Sequence, residues 1–309
     1  MASTILDQTL IMLMLIGVGV ICAKTKLISE ASNKDLSKFV LQVVNPVVIF
    51  VSYQREYRTE LARNLLITFF MSVAAMALLI VFSYVFVRKK EGKDFEIERF
   101  SSVYSNCGFM GIPLVNAIYH EEGVFYLTAF ITVFNLIVWT HGVILISGQK
   151  DFRQVVKVLY SPTIIAILLG LVTFFAQIEI PKTALSALNY IKEVNTPMAM
   201  IVSGVTIAAT NVPKLVKKGR IYYVCLLKLI VLPMILAVPL SLIHGVDETV
   251  RMTILIAASA PPAAMCTLLS LRYGKNSIYS SEIFTAGTVL SVVTLPLVVE
   301  ITEYLTKMF

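Results

Sequence analysis

One polar, glycine-containing stretch within a long apolar region decides the fold of this chain: Ser105-Asn106-Cys107-Gly108-Phe109-Met110-Gly111-Ile112-Pro113. Asparagine and glycine weaken a helix, and proline also removes a backbone donor. Unwound backbone within a membrane is tolerated only where it is buried in protein or lines a watery cavity. The stretch therefore predicts a broken membrane helix whose ends and polar side chains line a binding site.

The composition around this stretch is that of a polytopic membrane protein. Of the 309 residues, 57% are hydrophobic and 15% are charged, and the mean hydropathy is +0.82. A soluble domain has about 45–50% apolar and about 25% charged residues. This excess of apolar residues excludes a disordered chain, a secreted disulfide scaffold and a soluble enzyme. The net charge of +7 does not indicate nucleic-acid binding, because the basic residues fall in short loops between apolar segments.

The apolar segments predict an all-α protein with ten membrane spans, because a spanning helix needs about 20 apolar residues. The predicted spans lie near 5–23, 36–53, 64–87, 100–119, 123–146, 159–177, 192–210, 221–243, 250–271 and 281–305. The four cysteines lie in apolar stretches and the three histidines are scattered. Neither set has a metal-ligand spacing, so we expect no metal site and no cofactor.

The basic residues orient these spans in the membrane. The loops after odd-numbered spans hold 18 of the 26 lysines and arginines, whereas the opposite loops and the C-terminal tail hold 7. Cytoplasmic loops carry the excess of basic residues. This asymmetry predicts a multi-pass protein of the plasma (inner) membrane with both termini outside, on the periplasmic side.

Two pairs of landmarks indicate an internal repeat. Asn45 and Asn195, each close to a proline, are 150 residues apart, and Pro113 and Pro262 are 149 residues apart. The spacing predicts two five-helix repeats, residues 1–150 and 151–309. Because five is odd, the second repeat enters the membrane inverted. Inverted repeats with interrupted helices in matching positions indicate a transporter site.

The ninth span carries the second predicted break, Ser259-Ala260-Pro261-Pro262. Two crossing broken helices would direct positive helix N-termini at one anion, with Asn106 as a hydrogen-bond donor and with Pro113 and Pro262 holding the breaks open. Lys228 is the only basic residue well inside a span, and Asn135 is a polar residue of the fifth span. The candidate substrate-binding residues are Ser105, Asn106, Cys107, Gly108, Gly111, Pro113, Ser259, Ala260, Pro261, Pro262, Asn45, Asn195, Asn135 and Lys228.

The stretch from Ser105 to Leu114 resembles the span-4 signature of the auxin efflux carrier family. The similarity extends over nearly the whole chain, in Asn45-Pro46, 228–233, Pro261-Pro262-Ala263, Arg272-Tyr273-Gly274 and 291–296. The chain lacks the long cytoplasmic loop of plant members, since only Ser147–Val158 is available, and its third span carries no charged residue. It is therefore more similar to the bacterial malate and malonate permeases of the family.

The resemblance implies a fold similar to that of sodium/bile-acid symporters and related antiporters. Spans 1, 2, 6 and 7 would form a scaffold, often within a homodimer, and spans 3–5 and 8–10 would form a mobile transport unit. It also implies that substrate binds near Asn106 and Pro113 and near Pro261 and Pro262.

These observations predict a secondary transporter of a small organic anion, such as malate or malonate, that works by elevator-type alternating access. A carrier of a monocarboxylate or an auxin-like aromatic acid is the first alternative. A membrane sensor or interaction protein is an alternative of another class. A membrane-embedded enzyme is disfavoured, because no pair of intramembrane aspartates and no serine–histidine arrangement is evident. The coupling ion stays open between Na⁺ and H⁺.

Overall fold

Helices make up the computed structural model, which describes residues 2–89, 94–149, 160–210 and 215–308. The N-terminal part contains α1 (Ala2–Lys24), α2 (Glu30–Phe39), α3 (Asn45–Ser52), α4 (Thr59–Phe86), α5 (Phe95–Val103), α6 (Ile112–Ile137) and α7 (Val143–Ser147). The C-terminal part contains α8 (Pro162–Ala176), α9 (Lys182–Glu193), α10 (Asn195–Ala208), α11 (Gly219–Leu226), α12 (Leu232–Leu242), α13 (Glu248–Ser259), α14 (Met265–Arg272) and α15 (Ser277–Met308). Among the described residues, four π-helical turns lie between consecutive helices, at Val40–Val44, Cys107–Gly111, Val138–Gly142 and Leu227–Val231.

Six helical segments of the described chain are long and apolar enough to cross a membrane. They are Ser3–Lys24, Glu30–Ser52, Thr59–Phe86, Cys107–Ser147, Gly219–Leu242 and Ser277–Met308. The 41 residues of Cys107–Ser147 would extend for about 60 Å as one helix, or about twice the hydrocarbon core. His120 interrupts the segment with a non-helical backbone (φ 50°, ψ −147°). The segment is therefore two helices, divided where the sequence predicts the end of its fourth span.

The remaining predicted spans correspond to shorter or interrupted helices. The sixth span is the 15-residue helix α8, the seventh contains the 14-residue helix α10, and the ninth is divided into α13 and α14. The boundary predicted at residue 150, most of the loop at 147–158, and the basic residues Lys90, Lys93, Lys150, Arg153, Lys157 and Lys214 lie outside the described residues.

Prolines explain three of the four π-helical turns. Pro46, Pro113 and Pro233 each lie two residues after such a turn. A proline ring clashes with the carbonyl four residues before it, and those carbonyls belong to Gln42, Phe109 and Leu229, inside the turns. Widening the turn by one residue relieves this clash without ending the helix.

Helices α1 and α10 pack with their backbones in direct contact. A Cβ atom added to Gly19 would overlap the Ile201 carbonyl oxygen, and one added to Gly204 would overlap the Ile16 carbonyl oxygen. Small residues at such crossings let membrane helices approach closely. These two predicted scaffold spans therefore form a tightly packed pair.

Candidate functional site at the two helix breaks

The two predicted breaks meet and pair through their backbones. The Asn106 N–H donates to the Pro261 carbonyl oxygen at 2.7 Å, and the Ala263 N–H donates to the Tyr104 carbonyl oxygen at 2.9 Å. Ser105 and Pro262 lie opposite each other in this short antiparallel bridge. Because the hydrogen bonds flank that pair, the absence of an N–H on Pro262 leaves no partner unsatisfied. Each break thus satisfies buried backbone groups of the other.

The first break is shorter than the sequence indicates. Helix α5 ends at Val103, Tyr104 is extended, and the helical turn Cys107–Gly111 already leads into α6. The prediction of an unwound segment reaching Pro113 is therefore wrong, because Pro113 lies at the first turn of α6. At that position the proline ring is accommodated by the widened turn Cys107–Gly111, and the helix continues without a break. Pro262, in contrast, lies in the second break itself.

Lys228 lies beside the bridge, fully enclosed by protein. Its side chain is 1% exposed. Its Nζ donates to the Val103 carbonyl at 3.1 Å, the Ser105 Oγ at 2.8 Å and the Ala258 carbonyl at 2.9 Å. An ammonium group has three donors, and all three have acceptors within the protein. The carbonyls belong to the C-terminal ends of α5 and α13, which carry partial negative charge, so Lys228 joins two helix ends.

Asn45 and Asn195, the two landmarks of the predicted repeat, contact each other directly. The Asn195 Nδ2 donates to the Asn45 Oδ1 at 2.6 Å. A Cβ atom on Gly108 would lie 3.2 Å from the Asn45 Nδ2, so the asparagine pair adjoins the turn that follows the first break. Glycine at position 108 leaves room for this approach.

Several buried polar atoms near the breaks have no hydrogen-bond partner among the described residues. They include the Asn106 Nδ2, the Asn195 Oδ1 and the Ser259 Oγ. Asn106 is 8% exposed and Asn195 is 3% exposed. Buried polar side chains nearly always have partners, so these unpartnered atoms make the breaks the candidate binding site.

The structure divides the other sequence candidates into two groups. Cys107, Gly111 and Ala260 are buried around the breaks, where a Cβ on Gly111 would lie 3.3 Å from the Cys107 Cβ. Asn135 is half-buried, and its Nδ2 donates to the Ile131 carbonyl of its own helix at 2.8 Å. In the described part of the chain, the Asn135 side chain makes no hydrogen bond to either break, whereas the remaining candidates lie at or beside the breaks.

Sequence reasoning missed Gly287, which lies against the second break. A Cβ atom at Gly287 would overlap the Cδ of Pro262. The neighbouring Thr288 Oγ1 is buried without a partner among the described residues. The sequence feature that could have identified Gly287 is that it is the single glycine of the tenth predicted span.

A buried carboxylate that the sequence did not single out holds the helices around the first break together. Glu98 is 1% exposed and accepts from the Arg220 Nε at 2.8 Å, the Arg220 Nη2 at 2.6 Å and the Tyr279 hydroxyl at 3.0 Å. This network joins α5, α11 and α15. In the described part of the chain, no group of three or more histidine, cysteine or acidic residues could hold a metal ion.

Comparison with known proteins identifies the family. The model of the membrane transport protein family matches residues 4–158 and 152–299. The chain belongs to this family, that of the auxin efflux carriers. As a member of it, the protein is a multi-pass membrane transporter.

Curated relatives match this auxin efflux carrier family member over most of its length. A Rhizobium meliloti protein named "Putative malonate transporter" is 23% identical over 84% of this chain and 83% of its own. An uncharacterized transporter of Methanothermobacter thermautotrophicus is 25% identical over 94% of this chain and 96% of its own. The uncharacterized transporter YfdV of Escherichia coli is 23% identical over 93% of this chain and 94% of its own.

Proposed function

We propose that this transporter carries a small organic anion, in particular a dicarboxylate such as malonate or malate. The buried, unpartnered Nδ2 of Asn106 supports this proposal most strongly. It is a hydrogen-bond donor without an acceptor among the described residues, and it is located where the chain turns from the break into the following helix. A substrate carboxylate would supply the missing acceptor.

The charges around the breaks favour an anion. The negative C-terminal ends of α5 and α13 are covered by the Lys228 ammonium. The helices that follow the breaks begin at Cys107 and Met265, and such N-terminal ends carry partial positive charge. None of the ion pairs found among the described residues places a carboxylate at these ends. An anionic substrate would complete the arrangement.

The substrate class rests on the chemistry of the site together with one relative. The name of the Rhizobium meliloti relative refers to malonate, a dicarboxylate. The Asn45–Asn195 pair offers a second polar contact, because the Asn45 Nδ2 beside Gly108 is an amide donor from which a second carboxylate could accept. A monocarboxylate or an auxin-like aromatic acid is the alternative, and it needs only the Asn106 contact.

The transport mechanism that we propose is elevator-type alternating access in a ten-span fold of two inverted repeats. The contact between Asn45 and Asn195 joins positions 150 residues apart, and the bridge between Ser105 and Pro262 joins the two breaks, one in each half, which supports such a symmetry. Spans 1, 2, 6 and 7 would form the scaffold, and spans 3–5 and 8–10 would move as a unit. We also propose a homodimer in the plasma membrane with both termini outside.

Counterflow in proteoliposomes tests the substrate class without knowledge of the coupling ion. Vesicles loaded with unlabelled malate, malonate or indole-3-acetate are diluted into labelled malate. We expect accumulation of label with the two dicarboxylates only. Exchange with indole-3-acetate would favour the monocarboxylate alternative, and no accumulation with any of the three would overturn the proposed substrate class.

The Asn106→Ala variant tests the site, with Asn116→Ala as the matched control. Asn116 is an exposed asparagine on α6, the helix that follows the same turn. We expect Asn106→Ala to reduce counterflow to the level of protein-free vesicles and Asn116→Ala to leave it unchanged. Full counterflow by Asn106→Ala would show that substrate binds elsewhere.

A further inference from the structure

We propose that the cleft between α4 and α8 binds one acyl chain of an anionic phospholipid, whose phosphate pairs with Arg63. The cleft has a volume of about 600 Å³ and lies away from the two helix breaks. This inference does not depend on the identity of the transported substrate.

Hydrocarbon side chains form the walls of the cleft. Such walls suit an apolar chain and offer a dicarboxylate few partners. Polar atoms are confined to a few positions, among them the Thr132 side chain. The apolar wall residues are Leu65, Leu66 and Phe69 on α4 and Ile167, Leu171 and Phe175 on α8.

The length of the cleft matches one leaflet of a bilayer. On α4 the lining extends from Thr59 to Phe69, which corresponds to about 15 Å along a helix. Half of the hydrocarbon core of a bilayer is also about 15 Å thick. Leu66 and Phe175 are 60% and 57% exposed, so the cleft opens on the outer surface of the helices, where lipid lies.

Arg63 supplies the charge at one end of the cleft. It lies in the second turn of α4, and its side chain is exposed. Among the described residues, no hydrogen bond or ion pair involves its guanidinium group. A basic residue at the membrane interface attracts lipid phosphate, and arginine binds phosphate oxygens in a bidentate manner. The unpaired cation beside an apolar cleft therefore fits an anionic phospholipid better than a neutral one.

The melting temperature of the full-length protein in detergent tests this proposal. Phosphatidylglycerol, phosphatidylcholine with the same acyl chains, or inorganic phosphate is added in separate titrations. We expect phosphatidylglycerol to stabilise the protein at the lowest concentration, phosphatidylcholine to require about fivefold more, and phosphate alone to have no effect. Equal stabilisation by the two lipids, or stabilisation by phosphate alone, would overturn the proposal.

Two substitutions separate the headgroup from the acyl chain. Arg63→Gln should remove the preference for phosphatidylglycerol, whereas Arg58→Gln, an equal loss of charge at an exposed arginine that does not line the cleft, should keep it. Ala62→Phe fills the cleft and should abolish the effect of both lipids. Native mass spectrometry of the same variants counts bound lipid directly. Retention of phosphatidylglycerol by both Arg63→Gln and Ala62→Phe would place the lipid elsewhere.

Discussion

Two buried polar residues on either side of the same break, Lys228 and Asn106, differ in how their donors are used. Lys228 donates to three protein oxygens, whereas the Nδ2 of Asn106 has no partner among the described residues. Ionisable and polar groups inside a membrane are usually assigned a function because they are costly. Burial alone therefore does not distinguish the two residues, whereas the satisfaction of their hydrogen bonds does.

The two residues also face opposite helix ends. Lys228 contacts the carbonyls that end α5 and α13, and Asn106 immediately precedes the turn that opens the next helix. A cation therefore stabilises the negative ends, and we propose that the positive ends face the substrate. On this basis we propose that Lys228 affects transport through the position of the breaks and that Asn106 affects it through contact with the substrate.

The largest effect on stability is expected from Lys228→Met. The substitution leaves the Val103 carbonyl without its Lys228 donor, and we expect the free energy of unfolding to fall by up to about 3 kcal/mol. Thermal unfolding in detergent measures this loss, and Lys217→Met, at an exposed lysine, is the control. A stable Lys228→Met protein with weakened malate affinity would instead make Lys228 a substrate contact.

Gly287→Ala tests the break without changing any polar side chain. Its Cβ would overlap the Pro262 ring, and overpacking of this kind costs about 1–3 kcal/mol. We expect a lower melting temperature together with slower counterflow, because the ring must move. Gly17→Ala is the control, since a Cβ there meets nothing within 4 Å. If the two variants melt at the same temperature, the contact between Gly287 and Pro262 does not constrain the break.

Asn45→Ala and Asn195→Ala test the contact between the predicted repeats. Each removes the hydrogen bond from the Asn195 Nδ2 to the Asn45 Oδ1, and we expect each to lower the free energy of unfolding by about 1 kcal/mol. The double variant should lose less than the sum of the two. Strict additivity in the unfolding measurements would mean that the two side chains do not interact.

Asn106→Ala should have the smallest effect on stability. Because its Nδ2 has no partner among the described residues, we expect the free energy of unfolding to change by less than about 1 kcal/mol, although counterflow is lost. If Asn106→Ala unfolds as readily as Lys228→Met, the distinction drawn between the two residues is wrong. In that case the amide has a structural partner, and the loss of transport would not identify a substrate contact.

Much of the helical layout could be predicted from the sequence. Runs of about 20 apolar residues are required by the thickness of the bilayer, so hydropathy alone indicates where helices cross it. The sequence also located both breaks, because proline, glycine and asparagine weaken helices wherever they occur. The spacing of 150 residues between Asn45 and Asn195 predicts that these residues correspond, and the structure brings them into contact.

The partners of each polar group could not be predicted in this way. Lys228 bonds to oxygens that lie 30, 123 and 125 residues away, and no periodicity in the chain encodes such pairs. The sequence also could not distinguish a proline that widens a helical turn, such as Pro113, from one that lies in a break, such as Pro262. The difference depends on whether a second backbone segment lies near enough to form hydrogen bonds with the N–H and carbonyl groups that a break leaves unpaired.

The sequence by itself determined that the chain is a helical membrane protein with two weakened helices, because apolar length and helix propensity are local properties. Only the tertiary structure decided that the weakened segments pair with each other and that Lys228 donates to three protein oxygens. It also decided that, among the described residues, the Asn106 Nδ2 has no acceptor. These outcomes depend on contacts between residues far apart in the chain, since a buried polar group is satisfied or left open by what the fold places beside it.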